Sequence, residues 1–323
     1  MWVTGIPNRA LLVTRTRAER ERGLDYGGVA GDGLMRLRPG VRVHAADWER
    51  LYGEARLRTL AHAVALRTES PRATNSHTTA AAIHGLPLFR TRADRVHLTI
   101  PGPSSRHDSP DVVRHHLPLS EADVEIIDGL RVTTLSRTVY DVIRMTSLEA
   151  GVSCFDAALR QVAWDDDTRE YDAVAAAGFR QGVLDRIIAH TGARGIRHAR
   201  FVTDFADGRA HLPGESVSRL WMWQLGMPDP ELQRRVELDI GGLALLDFAW
   251  PALGRWAEFD GAVKYTDPGM LAGRSADEVR HLQNAREDAV RRATGWEVSR
   301  WGWDQAPSFA SFAALMRRLR FTI

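Results

Sequence analysis

The segment 243–261 constrains this chain more than any other. Leu243 to Trp250 alternates with a period of two. Leu246, Phe248 and Trp250 therefore fall on one face of a strand, and Leu245, Asp247 and Ala249 on the other. Pro251-Ala252-Leu253-Gly254 turns the chain, and residues 256–261 read as a further strand on which Glu258 and Asp260 share a face. Two neighbouring apolar strands thus carry carboxylates near their ends. A carboxylate in a semi-buried sheet is costly unless its charge is compensated. A hard divalent cation such as Mg²⁺ or Mn²⁺ supplies that compensation, because it prefers oxygen ligands.

The flanks predict an ordered set of elements. A helix begins at Pro213-Gly214-Glu215 and stops at Gly226, with Pro228 beyond and Val217, Leu220 and Trp221 on its buried side. Glu215 lies in its first turn, where the helix dipole favours an anion; taken alone it reads as an ordinary helix-start carboxylate. Residues 232–238 read as a strand before the turn Asp239-Ile240-Gly241-Gly242. Ser275-Ala276-Asp277-Glu278 is a capping-box sequence. It opens a helix with Val279, Leu282, Ala285, Ala289, Val290 and Ala293 inward, and with Gln283, Arg286, Asp288 and Arg291 on its polar side. After Gly295 the chain returns as a strand over 296–301. The predicted order is helix, three-strand meander, helix, strand.

Such a set of acids suits phosphodiester hydrolysis. A bound metal polarises the scissile phosphate and lowers the pKa of a coordinated water. A nearby lysine can orient that water and stabilise the transition state. Lys264, four residues beyond Asp260, is the candidate; without the acids it would read as an exposed surface lysine.

Leu246-Asp247-Phe248-Ala249-Trp250, Glu258-Phe259-Asp260-Gly261 with Lys264-Tyr265, Arg286-Glu287-Asp288 and Gly295-Trp296-Glu297-Val298 together resemble the very-short-patch-repair-like branch of the PD-(D/E)xK nucleases. The resemblance implies a C-terminal α/β restriction-endonuclease-like domain over 191–323. It implies metal ligation by Asp247 and Glu258, with Asp260 as a third acid and Glu215 matching the glutamate of the family's first helix. One departure stands out: Asp260, not lysine, occupies the second position after Glu258. Either Lys264 substitutes from further along, or the lysine's role is filled otherwise, or activity is weakened.

The N-terminal two-thirds is less explicit. Residues 11–22 read as a short Arg-rich helix, and 34–43 as two strands around the Pro39-Gly40 turn. Residues 48–66 read as one helix with an apolar stripe of Trp48, Leu51, Ala55, Leu57, Leu60 and Val64. A helix with a basic hairpin suggests a winged-helix module over 1–70. Arg36, Arg38 and Arg42 would then lie against DNA phosphates; the alternative is a solvated, positively charged hairpin, and the sequence leaves both open. Residues 71–190 read as an α+β module. It has a helix capped by Ser76 or Thr78, strands at 96–100, 112–116 and 130–133, a helix over 136–145, and a bridging helix over 174–190 after an acidic stretch at 165–170. His77, His84, His97, His107, His115 and His116 cluster in this part of the sequence, but their spacing matches no metal pattern and no cysteine accompanies them. They read as surface or satisfied core histidines.

The runs Leu34 to Val41, Ser76 to Leu86 and Thr133 to Asp141 resemble the AbiEi-type antitoxins of type IV toxin–antitoxin systems. That resemblance implies a winged-helix N-terminus and transcriptional regulation through DNA binding. A cognate toxin or defence-system partner would be in keeping with it.

Composition narrows the remaining choices. The chain has 323 residues, 44% hydrophobic and 26% charged, which is enough for more than one core. Cys154 is the single cysteine, so a disulfide framework and a zinc ribbon are excluded and a cytoplasmic setting is expected. No run approaches a membrane span, and the first ten residues lack a signal peptide's apolar core. The net charge of +2 does not by itself mark a nucleic-acid binder, and the preference for Arg over Lys also follows from a GC-rich genome. The expectation is a multidomain α+β protein: a Mg²⁺- or Mn²⁺-dependent DNA endonuclease with an N-terminal DNA-binding region, or a DNA-binding, antitoxin-like regulator with an inactive nuclease fold. Asp247, Glu258 and Asp260 would bind the metal, Glu215 and Lys264 would assist, and Arg36, Arg38, Arg42, Arg286 and Arg291 would contact nucleic acid.

Overall fold

The computed structural model describes residues 9–14, 33–68, 70–102, 109–239, 241–261 and 276–321. It is a mixed α+β structure built as two compact units. The first comprises Ile6–Cys154 with Gln181–Thr203, and the second is built from Phe155–Arg180 with Asp204–Ile323. Most of the segments 1–70 and 71–190 therefore lie in one unit. No helix among the described residues is long and apolar enough to cross a membrane.

The first unit opens with a small antiparallel sheet of β1 (Leu12–Thr14), β2 (Leu34–Arg38) and β3 (Val41–His44), ordered β1-β3-β2. Pro39-Gly40 makes the β2–β3 turn, with Gly40 at φ +73°, a conformation that suits glycine. Residues 12–14 correct the expected helix: Leu12, Val13 and Thr14 pair with β3, whose ladder satisfies their backbone groups. The rest of the 11–22 prediction lies outside the described residues. The helix predicted over 48–66 is also corrected. It is two helices, α1 (Ala45–Arg50) and α2 (Gly53–Ala65), broken where Leu51 and Tyr52 turn extended and Gly53 takes φ +43°.

A five-stranded mixed sheet follows in the same unit, from β4 (Thr74–Asn75), β5 (Val96–Thr99), β6 (Val112–His115), β7 (Val124–Ile127) and β8 (Leu130–Thr133), ordered β6-β5-β4-β8-β7. Helices α3 (His77–Ile83) and α4 (Leu135–Ile143) accompany it. Small side chains allow close packing: Ala61 of α2, Ala80 of α3, and Leu130 and Val132 of β8 form one cluster. Asp141 is buried on α4 and is held by Arg137 at 2.9 Å, which also reaches Asp123 at 3.5 Å.

Three further helices, α5 (Leu148–Ala163), α6 (Ala173–Ala189) and α7 (Ile196–Phe205), contribute residues to both units. In the second unit, the acidic stretch expected near 165–170 is a hairpin of β9 (Trp164–Asp165) and β10 (Glu170–Tyr171). Asp165 Oδ1 accepts from the amides of Asp167 and Thr168 in its turn. The unit continues through α8 (Pro213–Gln224), the meander β11 (Glu231–Glu237), β12 (Leu243–Trp250) and β13 (Arg255–Asp260), then α9 (Ala276–Thr294), β14 (Glu297–Gly302) and α10 (Phe309–Arg318). The sheet order is β11-β12-β13-β14, antiparallel except for β13–β14, which is parallel. A parallel pair needs a crossover connection, and α9 lies within it.

An aromatic layer joins α8 and α10 to this sheet. Phe248 stacks on Trp301 at 5.7 Å, Trp301 meets Phe312 edge-on at 5.8 Å, and Phe312 lies 5.6 Å from Trp221. Each of these large buried side chains contributes roughly 1.5–3 kcal/mol. Val290 of α9 packs with Val236, Ala244, Ala249 and Trp256. Leu282, Ala285 and Ala293, expected inward on α9, are exposed, whereas Ala289 and Val290 are buried as predicted.

Candidate active site

Strand register decides the arrangement of the acids. Leu232 pairs with Phe248 and Arg234 with Leu246, so Gln233 stands opposite Asp247. Phe248 pairs with Ala257, which puts Asp247 opposite Glu258 one step further on. Glu258 pairs with Arg300. Four polar residues, Gln233, Asp247, Glu258 and Arg300, therefore run in one row across four strands, of which β12 is otherwise wholly apolar.

The row is closely bonded. Gln233 Nε2 donates to Asp247 Oδ1 at 3.2 Å and to Glu215 Oε2 at 3.4 Å. Asp247 Oδ2 accepts from the Phe259 amide at 3.0 Å. Gln233 holds this position with φ +48°, a left-handed conformation costing roughly 1–3 kcal/mol in a residue other than glycine. Glu258 is buried and ion-paired to Arg286 and, at 2.7 Å, to Arg300. Arg300 also reaches Glu287 at 2.8 Å and Asp260 at 3.8 Å. Arg286 donates in addition to the Leu245 carbonyl at 2.6 Å.

Glu215 enters from the first turn of α8. It is buried, and its Oε2 accepts from the His211 amide at 2.8 Å. The helix start sits tightly on β13: any Cβ at Gly214 would collide with the Phe259 ring. An ion pair between Arg219 of α8 and the fully buried Asp156, at 3.1 Å, fixes the helix from the other side. Burial raises the Asp156 carboxyl above its ordinary value, opposed by Arg219, the Asp207 amide and Ser216. Arg160 belongs to the same electrostatic neighbourhood. Burial lowers its guanidinium below the ordinary value, while the charges of Glu215, Asp166 and Asp247 act the other way.

The structure thus brings Glu215 to Asp247 through Gln233, and Glu258 to Asp260 through Arg300. Lys264 lies outside the described residues. Arg286, expected on phosphate, is engaged by Glu258, and Arg291 pairs with Asp288 at 3.2 Å on the surface. In the first unit, Arg36 and Arg42 are cross-strand partners and Arg36 is exposed, whereas Arg38 is tied to Asp111 at 3.0 Å.

Sequence reading missed Gln233 and Arg300, because each lies in a strand with several other polar side chains and nothing local sets it apart. It also missed a groove of about 580 Å³ beside the row, lined by Gln233 with Arg169, Arg209, Arg234, Arg235, Trp164 and Tyr171. Those residues come from three separate stretches of sequence, so no local motif marks them. Among the described residues the acids do not offer three donor atoms within 4.8 Å of one another; His77, His97 and His115 do.

Oxygen donors are the right chemistry for a hard divalent cation, and Asp247 and Glu258 are neighbours in the row. Glu258, however, already has two guanidinium partners, so a cation there competes with arginine.

No protein-family model matches the chain. Two curated proteins of Mycobacterium tuberculosis are similar: "Uncharacterized protein MT2308" of strain CDC 1551 / Oshkosh and "Uncharacterized protein Rv2248" of strain ATCC 25618 / H37Rv. Each is 30% identical over 193 residues, covering 60% of this chain. The match spans 64% of the relatives' own length.

Proposed function

We propose that this protein is a metal-dependent DNA endonuclease whose second unit is a PD-(D/E)xK-type nuclease domain and whose first unit carries a winged-helix DNA-binding region. The observation that carries the reading is the register of Asp247 opposite Glu258 within a helix, three-strand meander, helix, parallel-strand topology. A polar row of this kind is expensive in a sheet and is retained where chemistry needs it.

In this reading Asp247 and Glu258, with Asp260 beside them, hold Mg²⁺ or Mn²⁺. When bound, the ion supplies Lewis-acid polarisation of a phosphodiester and a more acidic water. Gln233 positions Asp247 and links it to Glu215. Glu215, fixed by the His211 amide, orients the water or its proton. Arg160 and Lys264 are candidates for the cation that stabilises the developing phosphorane charge. The arginine-rich groove beside Gln233, with Trp164 and Tyr171, offers phosphate and base-stacking contacts for a strand leading to the row.

The deciding experiment is incubation with supercoiled plasmid in Mg²⁺ or Mn²⁺, beside an Asp247→Ala/Glu258→Ala double variant and an EDTA control. Nicking or linearisation by the wild type alone is the expected result. Cleavage that survives in the folded double variant would sink the assignment.

A second reading has its own support. The double arginine pairing of Glu258 is what a silent nuclease fold would show if its acids had become structural. The protein would then be an antitoxin-like DNA-binding regulator. Retarded migration of its own promoter DNA, lost on changing Arg36 and Arg38 together, with no cleavage in either metal, would favour it.

A further inference from the structure

In the first unit, three elements far apart in sequence bring three imidazoles to one point. His77 opens α3, His97 lies on β5 and His115 ends β6. One nitrogen from each lies within 4.8 Å of the others, a spread that matches three donors about one ion. His97 Nδ1 and His115 Nε2 are 3.0 Å apart, and the His77 ring stacks on His115 at a centroid distance of 3.7 Å.

The backbone is built to hold them there. The Ser76 amide donates to the His97 carbonyl at 3.0 Å, and the His97 amide donates to Thr79 Oγ1 at 2.8 Å. These bonds pin the start of α3 to β5. The Ile100 amide donates to the His115 carbonyl at 2.9 Å, continuing the β5–β6 ladder. His77 itself has φ +53°, an uncommon conformation for a residue with a Cβ, and it is 4% exposed. Its Nδ1 lies 2.9 Å from Ser76 Oγ. A hydrogen bond donated there leaves Nε2 as the lone-pair atom, the outer-shell arrangement that orients metal-ligating histidines.

We propose that His77, His97 and His115 form a binding site for a first-row divalent transition metal of the Zn²⁺ class, with an open coordination position. Imidazole nitrogens suit such ions and suit Mg²⁺ poorly, so this site differs in kind from the acid row. Neutral imidazole is the ligating form, and the Ser76 contact fixes which His77 nitrogen faces the other two rings. The nearby positive charge of Arg137 is balanced by Asp141 and Asp123. Three protein donors leave room for a water or an exogenous ligand. His97 also lines a cleft of about 790 Å³ with Arg92, Asp94, Arg95 and Ser109, so one member of the cluster borders open space. The inference does not depend on the nuclease reading.

The test uses the full chain, stripped with a chelator and titrated with Zn²⁺ against a chromophoric competitor. One equivalent of tightly bound zinc per chain is expected, with a rise in melting temperature on zinc addition. A His97→Ala/His115→Ala variant should lose more than about 100-fold in affinity, beyond what losing a supporting contact alone costs. Where that variant fails to fold by circular dichroism, the single variants His97→Gln and His115→Gln carry the same test. An Asp247→Asn/Glu258→Gln variant should keep the equivalent, which separates this site from the acid row. Absence of tight zinc binding by the wild type, or its retention in the folded histidine variants, overturns the proposal.

Discussion

The acid row and the histidine cluster face the same problem and solve it in opposite ways. Both gather titratable side chains away from bulk water. In the row, the Glu258 carboxylate is balanced by arginine. In the cluster, burial keeps the innermost imidazole, His77, uncharged. The difference teaches what each region asks of an incoming cation. At Glu258 an ion must displace guanidinium contacts, which makes binding weak and open to competition. At the histidines it need only displace a hydrogen-bonded proton, and nitrogen donors raise the affinity for zinc-like ions.

The sharpest way to break this comparison is Arg300→Met. It removes one partner of Glu258 and the 2.8 Å partner of Glu287, and should cost about 3 kcal/mol, as breaking a buried ion pair does. Urea unfolding with and without Mg²⁺ checks it. Partial recovery in Mg²⁺ would show that a cation can stand in for the arginine; no recovery would mark the row as a structural ion-pair network. Next in size is Gly214→Ala. Its Cβ would strike the Phe259 ring, so a loss of about 1–3 kcal/mol is expected from overpacking, together with reduced plasmid cleavage as α8 and Glu215 shift. Zinc binding in the other unit should be untouched.

Gln233→Gly tests the strained position more gently. Relief of the positive φ is worth about 1 kcal/mol and is offset by glycine's own entropic cost of roughly 0.5–1 kcal/mol, so the melting temperature should barely move. Cleavage should fall, because Asp247 and Glu215 lose their shared amide. Unchanged cleavage would remove Gln233 from the site.

The smallest effect concerns pH. Burial lowers the imidazoles of His62, His84 and His198, all in the first unit. Their folded pKa values lie below the unfolded value of about 6.5, so the unfolded chain binds more protons in that window and stability falls as pH drops through it. Asp141, raised by burial, acts in the opposite sense. Thermal melts at about pH 7.5 and about pH 5.5 should show lower stability at the acid value. A melt that is flat between them would mean these histidines titrate alike in both states.

Legibility followed the range over which each signal acts. The meander was readable because period-two alternation and the 251–254 turn are local, and they placed Asp247 and Glu258 on their strands. The row itself was not readable, because register depends on partners such as Arg300, which reaches Glu258 only across the parallel pairing. Arg286 was expected on phosphate, and no sequence rule could tell that Glu258 would engage it first. Residues 12–14 misled because three residues fit either period, and pairing with β3 decided between them. The histidine cluster was invisible for the same reason as the row: its members sit on α3, β5 and β6, and only the β5–β6 register and the pinned start of α3 unite them.

The parallel partnership of β13 with β14 has a consequence for synthesis. A ribosome delivers Asp247 and Glu258 well before Arg300, and the strand bearing Arg300 cannot dock until the intervening helix has emerged. Until then the nascent meander displays an open strand edge and acids awaiting a counter-charge, the kind of surface on which a half-made chain invites chaperones or wrong partners. Completion of the acid row therefore waits on the synthesis of β14, the last strand of this sheet in chain order.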